Sequence, residues 1–178
     1  MEKKSGFRSL IFEISEIFAI AIVIIVIVTT FFFRVINVSG TSMETTLYGG
    51  DRLILSSFFY EPSRGDIIVS SQPNSRERLL VKRVIAVSGD ELNIDWSTGR
   101  VYINGEEIYE DYIKDISANC YGDYKSEFPI TVPEGYVFVM GDNRMVSWDS
   151  RYKEVGLIRN DYLLGKAVFR LNGFSAIK

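Results

Sequence analysis

The run Ile17 to Phe33, "IFAIAIVIIVIVTTFFF", holds 17 residues and no charge. At about 1.5 Å of rise per residue it falls just short of a hydrocarbon core about 30 Å thick. Ile11, Phe12 and Ile14 extend it, with Glu13 and Glu16 toward its start. A helix this apolar on every face fits lipid better than the interior of a small domain. A cleaved signal peptide is the competing reading. Its apolar stretch usually spans about 7–15 residues and ends in a small-x-small site, whereas this run is longer and "TTFFFRVINV" offers no such site. Lys3, Lys4 and Arg8 precede the span and Arg34 alone follows it. The positive-inside bias therefore predicts a cytoplasmic N-terminus over 1–10, a transmembrane signal-anchor helix over 11–33 and an extracytoplasmic domain over 34–178.

That domain, of about 140 residues, is large enough for one hydrophobic core. Its apolar runs are short, rich in β-branched and aromatic residues, and bounded by Gly, Asp, Asn or Pro. Strands are predicted at Asp51–Ser57, Asp66–Ser71, Arg78–Val87, Glu91–Asp95, Arg100–Ile103, Tyr136–Gly141 and Lys166–Leu171. Asn104-Gly105 has the chemistry of a tight hairpin, because both residues tolerate positive φ. No βαβ alternation appears, so the expected fold is mainly β and antiparallel. Residues 111–128 are polar with scattered aromatics and read as an excursion between strands. In "SSFFYEP", Phe58, Phe59 and Tyr60 fit either core plus sheet edge or a loop dipping into the outer leaflet.

The chain has no histidine and a single cysteine, Cys120. No internal disulfide is possible, and nearly all zinc-site and Cys/His peptidase readings fall away. Net charge is −3 with the basic residues spread out, which argues against nucleic acid as a partner. No metal or cofactor is expected.

Just beyond the apolar run lies "SGTSMETTL", Ser39 to Leu47, where Ser42 is either a loop residue or a nucleophile. With no histidine, a base for Ser42 must be a carboxylate or a lysine, and a lysine serves only if burial favours its neutral form. Lys82 in "RLLVKRVIAV" sits in an apolar strand, sharing a face with Leu80 and Val84 while Val81 and Arg83 point the other way. That is the appearance of a desolvated amine; a lysine snorkelling at a sheet edge would look the same.

Four blocks in order, "SGTSMETTL", "RGDIIV" (Arg64–Val69), "KRVIAVSGD" (Lys82–Asp90) and "GDNRMVSWDSR" (Gly141–Arg151), followed by "LLGKAVFRL", resemble the type I signal peptidases of the single-span, Gram-positive kind. The resemblance implies a membrane-bound serine endopeptidase that removes signal peptides from secreted preproteins through an acyl-enzyme, with the preprotein and the bilayer as its partners. Ser42 would be the nucleophile, with its backbone N–H as oxyanion donor, and Lys82 the general base. Ser147 would hydrogen-bond and orient the lysine amine. Asp142, Arg144, Asp149 and Arg151 would hold the last block against the dyad; an ordinary surface ion-pair cluster is the plainer reading of those four. Met43 would pack beside the nucleophile, and Ile36, Val38, Leu80 and Val81 would line shallow pockets for small side chains before the cut.

The chain departs from the family pattern at Thr45, where Pro is usual, and at Ala86 and Ser88, where Gly and Pro are common. Gly40 stands where some relatives carry a serine that helps hold the oxyanion, so backbone donors must serve here. Two other readings compete. A self-cleaving Ser/Lys peptidase of the repressor type would be soluble and carry a DNA-binding region. A membrane-tethered, non-catalytic β binding domain would make Ser42 and Lys82 separately replaceable.

Overall fold

A computed structural model describes residues 3–57, 60–71, 79–124 and 127–177. The chain divides into two compact units, 1–34 and 35–178. In the first, helix α1 runs Lys3–Phe32. Its segment Ser9–Thr30 has a mean hydropathy of 2.8 and is long and apolar enough to cross a membrane. No proline interrupts the helix, and Thr29 returns its hydroxyl to the Ile25 carbonyl (2.8 Å), so the side chain spends its polar group on the helix itself.

The rest is β structure. Strands β1 (Phe33–Asn37), β2 (Arg52–Ser56), β3 (Ile67–Ser70), β4 (Leu80–Val87), β9 (Tyr136–Met140), β10 (Ile158–Arg159), β11 (Leu163–Arg170) and β12 (Ser175–Ala176) form one sheet. Their order is β1-β2-β11-β3-β4-β9-β10, with β12 on β11. A second sheet contains β5 (Glu91–Asp95), β6 (Arg100–Ile103), β7 (Glu106–Glu107) and β8 (Ile130–Thr131) in the order β7-β6-β5-β8. Antiparallel pairing joins β3 to β4, β4 to β9 and β5 to β6. Asn104 and Gly105, at φ 55° and 82°, form the two-residue loop between β6 and β7, the conformation that the primed hairpin turns require. The mainly β, antiparallel fold expected from the sequence is the one found. All seven expected strands are present among the described residues, shifted by a few residues at their ends.

Strand β4 distributes the core. Val81 packs against the cluster of Val38, Met43, Leu47, Leu53, Leu55, Ile67, Val69 and Ala167. Leu80 and Val84, on the opposite face, enter a second cluster with Ile68, Val137 and Val139. The register against β9 shifts between Val84 and Ala86, and both Ile85 and Ala86 then join the core of the smaller sheet with Leu92, Ile94, Val101 and Phe138. One long strand thus serves three cores, with Lys82 and Arg83 in its middle.

Tyr60 packs beside the second cluster and donates to Asp66 Oδ2 (2.8 Å), which favours the core reading of its segment. Phe58 and Phe59 lie outside the described residues. The excursion over 111–128 is not featureless: Ile116–Cys120 form a 3₁₀ turn whose first turn is capped by Asp115, which accepts from Ser117 N.

Candidate active site

Residues 39–47 form a tight turn whose shape follows from two anchors. Met43 and Leu47 are each 1% exposed, four residues apart, and Leu47 N donates to the Met43 carbonyl at 2.8 Å. Pinning these apolar side chains in the core below β2 and β3 holds Ser42, the residue just before Met43, at the protein surface. Val38 N bonds Asp51 O and Gly50 N bonds Val38 O, closing the loop at its base.

The Lys82 amine lies 2.8 Å from Ser42 Oγ and 3.1 Å from the Val81 carbonyl oxygen. Lys82 is 1% exposed, so the sheet-edge snorkelling alternative does not describe it. A buried amine within hydrogen-bonding reach of a partly exposed hydroxyl is the geometry for moving a proton between them. A groove with a volume of about 380 Å³ opens at this point, lined by residues including Ile36, Val38, Ser42, Met43, Leu79 and Val81. Leu80 is not part of it. Strand alternation turns Leu80 into the second core cluster at 0% exposure, and its neighbour Leu79, 40% exposed, borders the groove instead.

The segment after β9, Gly141–Arg151, closes over the turn that carries Ser42. Asn143 N donates to the Ser42 carbonyl (3.0 Å), and Asn143 Nδ2 to the Thr41 carbonyl (3.1 Å). Gly141 permits this approach. A Cβ there would stand 2.7 Å from Ser147 Cβ and closer still to Ser147 Oγ and the Ser42 carbonyl oxygen. Ser147 is thus packed beside the turn that carries Ser42, but the expected bond to Lys82 is absent. Its buried hydroxyl makes no hydrogen bond of ordinary geometry; it faces the Asp149 carboxylate, whose charged form it helps to hold.

The four charged residues of this segment are buried, not a surface cluster: Asp149 and Arg151 pair with each other, while Asp142 and Arg144 pair with residues outside it. Asp142 accepts two bonds from the Arg83 guanidinium (2.9 and 2.8 Å) and one from Thr46 Oγ1 (2.5 Å), tying β4 and the Ser42 turn to one carboxylate. Asp149 accepts two bonds from Arg151 (2.8 and 2.9 Å) and one from Gly141 N (3.0 Å). Burial by itself would raise the Asp149 carboxyl; the Arg151 charge and these bonds outweigh it and hold the carboxyl below the ordinary range. Arg151 also donates to the carbonyls of Ala118 and Arg144. Arg144 pairs with Glu110 and bonds Asn119 Oδ1 and the Gly141 carbonyl.

Arg83, Thr46, Glu110 and Asn119 were not singled out by sequence reasoning. Arg83 carried a signal, being a second basic residue in an apolar strand; the others lie in polar segments that look like solvated loop. Ser88, at a departure from the family pattern, bridges two segments by accepting from Gly135 N (3.1 Å) and donating to Tyr136 O (3.3 Å). Among the described residues no group of three or more His, Cys, Asp or Glu is arranged to hold a metal ion.

The sequence model of the family described as "Signal peptidase, peptidase S26" matches residues 11–172 of this chain. The chain belongs to that family. A signal peptidase I of Bacillus licheniformis is 33% identical over 99% of this chain and 97% of its own length. Signal peptidase I T of Bacillus subtilis strain 168 is 32% identical over 89% of this chain and 84% of its own. A crystal structure of a signal peptidase I from Enterococcus faecalis V583 has 30% identity and a TM-score of 0.47, covering 60% of this chain and 97% of that one. The S26 match takes in both the apolar helix and every segment that meets at Ser42.

Proposed function

We propose that this chain is a membrane-anchored serine endopeptidase that removes N-terminal signal peptides from preproteins, with Ser42 as nucleophile and Lys82 as general base. The observation that carries the residue assignment is the 2.8 Å approach of Lys82 Nζ to Ser42 Oγ beside an apolar groove, in a chain without histidine. The preprotein lays the residues before the cut in extended form along the groove. Ile36, Val38, Met43, Leu79 and Val81 give it apolar walls suited to Ala, Ser or Gly.

Burial disfavours a charged amine, so Lys82 is poised to act neutral. It takes the Ser42 proton as Oγ bonds to the scissile carbonyl carbon. Backbone N–H groups, that of Ser42 first, meet the developing oxyanion. The C–N bond then breaks, and the leaving amine, the new N-terminus of the mature protein, receives the proton from Lys82. Water next gives its proton to Lys82 and attacks the acyl carbon, and Ser42 leaves with that proton. The Ser147 hydroxyl faces Asp149 in this structure, and a turn toward Lys82 would let it orient the amine during these transfers. Asp142, Arg144, Asp149 and Arg151 act through the loop they hold.

The helix confines enzyme and substrate to one membrane face. The charge bias around it puts residues 1–10 in the cytoplasm, the anchor over 11–33 and the catalytic domain, 34–178, outside. The test is incubation of the purified full chain with a preprotein. Wild type yields a shortened product and Ser42→Ala yields none; equal product from Ser42→Ala would overturn the proposal and favour a binding domain with a contaminating activity.

A further inference from the structure

The excursion before the 3₁₀ turn contributes something that the dyad and its loop do not explain. The Tyr112 ring lies 4.0 Å beneath the Arg83 guanidinium carbon, and Tyr112 Oη donates to Glu110 Oε1 at 2.8 Å. The same Glu110 oxygen accepts from Arg144 Nη2 at 2.6 Å, and Arg144 Nε donates to the Gly141 carbonyl at 2.8 Å. Gly141 is bonded to Asp142, which accepts both Arg83 donors. These contacts close a ring: Arg83, Tyr112, Glu110, Arg144, Gly141–Asp142 and back to Arg83. One side of the ring is the residue after Lys82. The other is the backbone of the loop that clamps the Ser42 carbonyl.

The ring is internal. Arg83 and Arg144 are 4% and 2% exposed, and the Glu110 side chain is 5% exposed. Each arginine is matched by one carboxylate, Asp142 for Arg83 and Glu110 for Arg144. Burial, then the Glu110 charge, pushes the Tyr112 phenol far above its ordinary range, so its hydroxyl stays a donor throughout the pH range of the protein. A planar guanidinium can pair with a carboxylate in its plane and stack on an aromatic face at the same time, so Arg83 is held from two directions.

We infer that Glu110 and Tyr112 are positioning residues for the peptidase reaction: they brace the segment over 110–120 between β4 and the Gly141–Arg151 loop and so set how closely Lys82 and the Ser42 turn approach. This rests on the Ser42–Lys82 reading above. Neither side chain lines the groove, so substrate binding is left alone while the proton-transfer geometry depends on them. A misplacement of about 1 Å costs on the order of 10²-fold in rate.

The test compares Glu110→Gln, Glu110→Asp, Tyr112→Leu and Tyr112→Phe in the full-length protein, reading kcat and KM per folded molecule well below each variant's melting temperature. Glu107→Gln, which breaks the exposed Arg100–Glu107 pair of the adjoining strand, is the control. The expected result is a fall in kcat of roughly 10- to 100-fold for Glu110→Gln and Tyr112→Leu, with KM within about twofold. Tyr112→Phe, which keeps the ring under Arg83, loses less than Tyr112→Leu, Glu110→Asp recovers part of the loss, and Glu107→Gln matches wild type. Wild-type kcat per folded molecule in Tyr112→Leu would overturn the inference, as would losses explained wholly by unfolded protein; if Glu110→Gln does not fold, Tyr112→Leu decides. Ser42→Ala runs beside them: an active Ser42→Ala would sink the dyad, whereas an inactive Ser42→Ala with fully active ring variants would sink only the brace.

Discussion

Adjacent residues at the start of β4 carry opposite tasks here. Leu80 is fully buried in the cluster that also holds Ile68 and Val84, and Leu79 borders the groove. Leu80→Ala should cost about 2–5 kcal/mol, the range for emptying a buried leucine site. Leu79→Ala should leave stability within about 0.5 kcal/mol yet relax the size limit on the substrate residue before the cut. Denaturant titrations, paired with cleavage of substrates bearing Ala or Phe at that residue, check both. The juxtaposition of Ser42 and Lys82 was legible only through the family blocks, because a lysine in an apolar strand and the turn holding Ser39 and Ser42 are local patterns that by themselves leave a snorkelling lysine and a loop serine open. The assignment of Leu80 to the pocket failed because a one-residue shift along a strand exchanges its faces, and composition alone does not say which face meets the groove. The expected Ser147–Lys82 bond failed differently: the buried hydroxyl faces the Asp149 carboxylate, a partner distant from Lys82 in the chain.

Loop Gly141–Arg151 is the element on which the site depends most. Gly141→Ala would drive a methyl group into Ser147 and the Ser42 carbonyl, neither of which is the far end of a flexible side chain. Cleavage should fall by at least about 10²-fold, in line with displaced catalytic groups, and stability by about 1–3 kcal/mol, as for other overpacked sites. The same loop gives the protein an acid limit. Asp149 ionises more readily folded than unfolded. Its contribution is therefore complete above its unfolded pKa of about 3.9 and is lost as pH falls through the lower folded value. Melting temperature should drop below about pH 4, and Asp149→Asn should flatten part of that drop. The variant should also cost about 3–5 kcal/mol near neutrality, since Arg151 is left buried without its counter-charge. Sequence patterns could announce the loop as a block but not its partners. Glu110 and Asn119 sit in a stretch with no hydrophobic period, and β7, β8, β10 and β12 are two-residue pairings, too short for any alternation to register. Strand β1 was hidden for the opposite reason: its first residue continues the apolar run.

At the scale of the whole molecule, an apolar helix and a β peptidase domain share one chain, and the proposed topology sends the helix across the membrane with the domain outside. Protease added to intact spheroplasts should digest the domain and spare the N-terminal stub; a fully protected domain would reverse the orientation. The central claim is that a neutral Lys82 activates Ser42, and a pH–rate profile of the full-length enzyme in lipid vesicles tests it most directly. With wild type and Lys82→Arg followed on one preprotein, kcat/KM of wild type should rise along a limb on the alkaline side of neutrality, because the amine must lose a proton whose unperturbed pKa is about 10.4. Lys82→Arg should stay inactive across the range, since a guanidinium keeps its proton. A limb near pH 4, or appreciable cleavage by Lys82→Arg, would contradict the claim.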